Sequence, residues 1–417
     1  MTRAIDIQMA AIFFPDETDP GFGAPFQVIA GLPLLLRQLL WLERHRIGTV
    51  HLIASARSHA SIQAHVHHWR KRRSLPQVVF HAGEVPDSLA MPARAILLDG
   101  RFLHHPDLLA HALSAAGSFA YVDERGCLCG LGLGGLQSGI RAGSLPSLPR
   151  VRLPERYFAQ RVTSPAEGRQ AESRLLQSFI KTTDGWFSRH LNRPVSLRIT
   201  RRIVHLPLHP NAISLFTLLV GIGSGWSASM GSLAHLAAGG ILFQIASILD
   251  GVDGEVARAK LLHSKVGEWM DTVCDDLTNA VFIAGVTLGM YRMTPDLFWL
   301  ALGVASLVVY GVTLVIMYGS LIIDKRKPSL LEFQKEIRRP GYRPGRMKAW
   351  LVSLQPFIKR DFYGYAFMLC GLLGIPEILI GGWSIGAFLT LGFISSEWKM
   401  PALGNAFGKL LHKRRRS

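Results

Sequence analysis

The chain has 417 residues, of which 49% are hydrophobic and 18% charged, and its formal net charge is +17. That length allows two or three domains, and four scattered cysteines exclude a disulfide framework. The cations concentrate beside apolar runs with no recognition module, so anionic lipid headgroups are the expected partner and nucleic acid is not.

Residues 1–150 contain no long apolar span, and no apolar h-region follows Met1-Thr-Arg-Ala, so no signal peptide is expected. Strand-like runs at 4–14, 49–54, 77–80, 95–98 and 119–122 alternate with helix-like runs at 31–46, 60–73 and 106–116. The alternation predicts a small α/β, Rossmann-like domain with a mainly parallel sheet. His59, His65, His67 and His68 share one polar helical segment and are expected at the surface. Cys127 and Cys129 form a C-x-C without partners, and Asp99 is expected as a strand-end turn residue. A Pro/Arg-rich stretch from Leu145 to Leu153 opens a linker over 151–171. Residues 172–210 then place Leu175, Leu176, Phe179, Trp186 and Phe187 among cations, a pattern for amphipathic helices along a membrane interface.

The second half carries six apolar stretches near the ~20 residues that cross a bilayer, at 211–230, 233–253, 267–290, 296–322, 362–379 and 381–397. Gly374-Ile-Pro376-Glu377 and Gly381-Gly382 mark the reversal between the last two. Lys and Arg are concentrated in the loops 254–266 and 323–361, the latter with Arg338, Arg339, Arg343 and Arg346, and in the tail 398–417. The intervening turns hold only Arg292. The positive-inside rule then predicts a multi-pass protein of the inner (cytoplasmic) membrane with both termini and the basic loops cytoplasmic. The 323–361 loop fits either a lipid-attracted surface or an anion-binding flank for an acceptor phosphate.

Polar residues at the junction of the second and third stretches carry the chemistry. Asp250, Asp253, Gly254, Ala257 and Arg258 follow the i, i+3, i+4, i+7, i+8 pattern of one helical face, and Gly267, Asp271 and Asp275 are each four apart on another. An Asp at mid-bilayer costs ~2.5–3.5 kcal/mol on insertion scales, so four of them call for a positive partner. An all-oxygen donor set suits Mg²⁺ or Mn²⁺. Gly254, Ala257 and Gly267 remove bulk where a ligand approaches, and Arg258 offers a fork for a phosphate. Asp–Arg pairs that merely pin two helices would leave those small residues without a reason. Glu255, Glu268 and Asp276 lie off the stripes and are expected to be solvated or helix-terminal.

The pattern Asp-x-x-Asp-Gly-x-x-Ala-Arg-x8-Gly-x3-Asp-x3-Asp over 250–275 resembles the signature of the CDP-alcohol phosphotransferase family at every fixed position. The resemblance extends more loosely from Lys181 to Ser396, through Thr183-Asp184-Gly185, Arg201-Arg202 and Pro210-Asn211. It implies an all-α domain of six transmembrane helices over 211–397 that moves a phospho-alcohol group from a CDP-alcohol to a hydroxyl acceptor and releases CMP. It also implies a two-metal site held by Asp250, Asp253, Asp271 and Asp275. Asp275 would be the base, with Asp271 and Arg258 beside it in catalysis. Asp253, Gly254, Ala257, Arg258 and Gly267 would line the CDP pocket, and the family resemblance implies a homodimer.

In the front domain, Ala30-Gly31-Leu32-Pro33-Leu34-Leu35 and Ala95-Ile-Leu-Leu-Asp99-Gly-Arg101 resemble pieces of a sugar-nucleotidyltransferase domain. That family has members fused to CDP-alcohol phosphotransferases, where the front domain makes a CDP-inositol donor. Residues 14–26 stand where its Gly-rich loop would be. They offer Gly21 and Gly23 but no cation for a triphosphate, so a degenerate, non-catalytic or regulatory domain is expected. Two rivals stay open: a bifunctional protein that also makes its own CDP-polyol, and a membrane scaffold or cation-binding protein without chemistry. The donor is open between CDP-diacylglycerol and a soluble CDP-polyol.

Overall fold

Short apolar runs bounded by turns build the sheet of the front half, and long apolar runs build the helices of the rear half. The structure is a computed structural model that describes residues 7–14, 23–82, 95–115, 117–134, 148–181, 184–324 and 360–397. Gly21, Thr183, residues 325–359 with Arg338, Arg339, Arg343 and Arg346, and the tail 398–417 lie outside the described residues. The chain forms two units, one of residues 1–181, 197–208 and 255–263, the other of 182–196, 209–254 and 264–417.

The first unit contains β1 (Met9–Phe13), β2 (Val28–Ile29), β3 (Leu32–Pro33), α1 (Leu34–Arg44), β4 (Thr49–Ala54), α2 (Ala56–Arg70), β5 (Gln77–Ala82), β6 (Ala95–Asp99), β7 (Phe102–His104) and α3 (Leu108–Ser114). It continues with β8 (Phe119–Val122), β9 (Leu128–Gly134), β10 (Arg150–Arg152), β11 (Ala159–Arg161) and α4 (Pro165–Gln177). Seven strands form one sheet in the order β10-β8-β9-β6-β1-β4-β5. Four of its six pairings are parallel; β9 runs antiparallel to both β6 and β8. The expected α/β region with a mainly parallel sheet is present. Sequence patterning misses β9 because glycine alternates with leucine there, and glycine is depleted in strands. The reason for one of these glycines is local: Gly130 has φ +68°, and a Cβ on it would strike the Phe102 ring at 2.5 Å.

Strands and a helix also occupy the stretch expected as a linker. Ser164 caps α4 by accepting from the Glu167 N–H (3.3 Å), while Glu167 accepts from the Thr163 N–H (2.6 Å). With Pro165 in the first turn this is a capping box, legible in Ser164-Pro-Ala-Glu167. The apolar face of α4 (Ala171, Leu175, Leu176), continued by Phe179, is buried in a core with Ile29, Leu34, Leu103, Val204 and Ala259.

Helix α5 (Arg193–Ile203) precedes the long helices α6 (Pro210–Ala228), α7 (Leu233–Ala259), α8 (Lys265–Met293) and α9 (Leu297–Asp324), followed by α10 (Arg360–Leu373) and α11 (Pro376–Glu397). Among the described residues, the four from α6 to α9 are long and apolar enough to cross a membrane, and α10 and α11 contribute shorter apolar helices. Large apolar side chains such as Leu215, Phe216, Leu219 and Trp226 stay exposed along α6, as a lipid-facing surface requires. Helix α7 runs six residues past the expected end at 253, so residues 250–258 lie on one continuous helix. Gly374, at φ +69°, ends α10. Gly381 and Gly382 lie inside α11, so the reversal is made by Gly374-Ile375 alone.

Helices α6 and α8 touch backbone to backbone. A Cβ on Gly285 would land on the Gly225 carbonyl oxygen, and one on Gly289 would land on that of Ala228. Glycine here permits van der Waals contact between main chains, the main attraction available between helices in lipid. Gly285→Leu is therefore expected to cost at least the ~1–3 kcal/mol of an overpacked core, read as a lower thermal midpoint in detergent. Gly311→Leu, on α9 with nothing within 4 Å of its Cβ position, is expected to leave the midpoint unchanged or raise it.

In the first unit, His104 stacks on Trp41 (5.6 Å, 8°) and shares a 2.9 Å hydrogen bond between its Nε2 and the Cys129 carbonyl. Burial pushes its pKa down to about 4 from 6.5. Above pH 6.5 both folded and unfolded states hold it neutral. Below, the unfolded state takes up a proton that the folded state refuses, so stability falls as pH drops from 6.5 toward 4. The difference should reach roughly 2–3 kcal/mol at pH 4.5. Thermal unfolding at pH 7 and 4.5 should show a smaller acid loss in His104→Gln than in the native chain.

Candidate metal centre and active site

Helix α7 carries Asp250 and Asp253 near its C-terminal end, and α8 carries Asp271 and Asp275 in its first three turns. Ser264 caps α8, its hydroxyl accepting from the Gly267 N–H at 2.9 Å. A Cβ at Gly267 would sit 3.0 Å from that hydroxyl and 3.5 Å from Asn211 Oδ1, so the residue keeps the start of α8 clear.

One carboxylate oxygen each from Asp250, Asp271 and Asp275 lie within 4.8 Å of one another, the three residues half-buried. Among the described residues no other His, Cys, Asp or Glu group has the geometry to hold a metal. Asp253 lies beside the trio, 5% exposed and within electrostatic reach of Asp275. Its Oδ2 accepts the hydroxyl proton of Ser214 on α6. The structure thus gathers all four expected aspartates in the second unit, three as a converging group and Asp253 tied to a serine. Ser214 escapes sequence reading because a lone serine in an apolar span is unremarkable; its register one turn after Pro210 is the only clue.

Ala257 and Arg258 belong to the first unit. The Arg258 guanidinium stands over the Phe179 ring, 5.3 Å from its centroid. Two of the residues expected to be solvated or helix-terminal are held by hydrogen bonds within the protein. Glu255 is fully buried and accepts from Thr200 Oγ1 at 2.6 Å. Asp276 accepts from the phenols of Tyr310 (2.7 Å) and Tyr318, hydrogen bonds that a carboxylate turned away from water requires. Glu268 is exposed in the first turn of α8, where a negative charge suits the helix dipole. Arg193, which sequence reading passed over, pairs with Asp184 at 2.9 Å, both about nine-tenths buried. Its Nη1 lies 3.4 Å from the Cβ position of Gly251, so a cation stands next to the α7 turn that bears Asp250.

Oxygen-only donors converging from two helices fit a hard divalent cation and not a soft one. Without such a charge, three carboxylates this close in an apolar bundle would have to share protons.

Residues 207–331 match the family model described as CDP-alcohol phosphatidyltransferase. A bifunctional IPC transferase and DIPP synthase from Thermococcus kodakarensis is 36% identical over 164 residues, 39% of this chain and 34% of that protein. The protein of the same name from Aquifex aeolicus is 39% identical over 133 residues, 32% of this chain and 30% of its own. An archaetidylinositol phosphate synthase from Pyrococcus horikoshii is 25% identical over 127 residues, 30% of this chain and 57% of that protein. The chain spans about a third of the length of the first two relatives. The matched helices are those that bear the aspartate motif, and over residues 207–331 the chain is similar to the CDP-alcohol phosphatidyltransferase family.

Proposed function

We propose that the protein is an integral membrane transferase that moves a phospho-alcohol group from a CDP-alcohol to a hydroxyl acceptor and releases CMP. The observation that carries this reading is the convergence of Asp250, Asp271 and Asp275 within 4.8 Å, inside a motif matched by the family model. Asp250, Asp253, Asp271 and Asp275 would hold Mg²⁺ or Mn²⁺, two ions in all. The metal pair, when bound, supplies positive charge on the diphosphate and stabilises both oxygens of an in-line displacement.

The chain's own residues do the rest. Asp275 takes the proton of the acceptor hydroxyl. The acceptor oxygen forms its bond to the phosphorus that carries the donor alcohol, the bond from that phosphorus to the CMP oxygen breaks, and CMP leaves with the electron pair. Asp271 orients the site, Arg258 clamps a phosphate oxygen, and Gly254, Ala257 and Gly267 leave room for the nucleotide. Ser214 fixes the Asp253 carboxylate through its hydroxyl, the supporting contact that a metal ligand needs.

The membrane domain is a six-helix bundle of the inner membrane with its carboxylates on the cytoplasmic side, where the basic loops lie and CDP-linked donors are available, and it acts as a homodimer. The front unit is a degenerate nucleotidyltransferase-like domain. A second reading, in which that unit makes a CDP-polyol, draws on the word "bifunctional" in the relatives' names; pyrophosphate release from CTP and a polyol phosphate tests it.

Purified protein should release CMP in a Mg²⁺-dependent manner with at least one pair from a panel of CDP-alcohols and acceptors. Asp275→Asn should abolish that release, on the order of 100-fold or more, while CDP-alcohol binding stays measurable; unchanged turnover would remove Asp275 from the base role. Ser214→Ala should weaken metal affinity on the order of 10-fold, measured as the Mg²⁺ concentration giving half-maximal CMP release. An unchanged Mg²⁺ dependence would show that Asp253 is held without it.

A further inference from the structure

Three residues of α8 grip two tyrosines of α9 along the stretch that carries Asp271 and Asp275. The Trp269 ring packs on that of Tyr318, with centroids 5.5 Å apart. Asp276 accepts from Tyr310 at one carboxylate oxygen (2.7 Å) and from Tyr318 at the other. One turn further on, the buried Asn279 donates from its Nδ2 to the Tyr310 hydroxyl at 3.3 Å. Residues 269, 276 and 279 are seven and three apart, so they share one face of the helix, and they bracket both aspartates.

The placement of the two phenols has a mechanical consequence. Tyr310 and Tyr318 are eight residues apart on α9, about 12 Å along its axis, yet both hydroxyls reach one carboxylate. They must lean toward each other, so a slide of α8 along α9 in either direction stretches one of the two hydrogen bonds. The glycine contact with α6, at Gly285 and Gly289, lies ten residues or more beyond Asp275, about 15 Å along the helix. The tyrosine grip acts at the level of the aspartates themselves. Apolar side chains could fill the same space without turning a carboxylate away from water. They would give no directional hold, whereas hydrogen bonds weaken steeply when bent or stretched.

We propose that Asp276, Tyr310 and Tyr318 form a clamp that fixes the axial register of α8 and thereby holds Asp271 and Asp275 at metal-binding distance from Asp250 on α7. The three are positioning residues for the transfer reaction, and the clamp rests on the reading of Asp250, Asp271 and Asp275 as a metal centre. Helix α8 supplies two of the converging donors and α7 the third. Mg²⁺ demands near-ideal geometry with oxygens at about 2.0–2.1 Å, so a slip of only about 1 Å between the helices would cost affinity. Asp276 thus works on the centre through the helix it anchors.

The test is the Mn²⁺ affinity of the full chain in detergent, read from the electron paramagnetic resonance of free Mn²⁺. Tyr310→Phe/Tyr318→Phe removes both hydroxyls and no carboxylate. It should weaken Mn²⁺ binding on the order of 10-fold or more, in protein whose thermal midpoint stays above the assay temperature. Tyr318→Phe alone, the milder change, should show part of the same loss. Asp276→Asn removes a negative charge but can still accept from one phenol and donate to the other, so it should weaken binding less than the tyrosine pair does. Unchanged affinity in either tyrosine variant would overturn the clamp. A larger loss in Asp276→Asn than in the tyrosine pair would overturn it too, by reducing Asp276 to a source of charge. Asp250→Asn/Asp271→Asn reports separately on the metal centre. Mn²⁺ binding unaffected there would remove the centre and the clamp with it; binding lost there but intact in the tyrosine pair would remove the clamp alone.

Discussion

Mutual repulsion of three carboxylates is the constraint around which the helical unit is arranged. At an effective dielectric of 20, two unit charges 4.8 Å apart repel by about 3–4 kcal/mol, and three such pairs would exceed what a helix contact in lipid supplies. The repulsion is offset only if divalent charge is admitted to the cluster or protons are shared within it. Either way the helices must hold their register, because the donors sit on two of them. The glycine contact between α6 and α8 serves that end: backbone surfaces meeting without side chains leave α8 little freedom to slide. The Ser214 hydroxyl on α6 then ties that helix to Asp253 on α7.

The first unit illustrates how a sheet domain gathers more chain than its sequence boundary suggests. Its core includes Val204 and Ala259 together with α4 and Phe179. Segments 197–208 and 255–263 therefore count with it, although the first lies just ahead of α6 and the second spans the end of α7 and the turn into α8. Burial of Glu255 against Thr200 belongs to the same unit and explains why an acid off the motif stripes is not solvated. Position along one helix sets which face a residue takes, but which neighbours meet that face depends on tertiary contacts that a periodicity cannot carry.

Legibility followed the strength of the local signal. Thr49–Ala54 and Phe119–Val122, β-branched or aromatic and bounded by turns, emerge as strands at those residues. The aspartate stripes emerge on two helices because 3.6-residue spacing is a property of the chain itself. β9 stayed hidden behind its glycines, and the 151–171 stretch behind its prolines and arginines, although the Ser164–Glu167 capping box was there to be read. The setting of Asp276 has no local signal, because its tyrosine partners lie 34 and 42 residues downstream.

The most direct test of the central claim is a measurement on Mn²⁺ bound to the purified protein in the presence of a CDP-alcohol, by pulsed electron–nuclear double resonance at phosphorus. A phosphorus coupling that appears with the CDP-alcohol and is lost in Asp250→Asn/Asp271→Asn would show the carboxylate cluster holding the metal against the diphosphate, as the account predicts. Mn²⁺ that binds at the cluster with no phosphorus coupling, at saturating CDP-alcohol, would contradict it and leave a cation site without transfer chemistry.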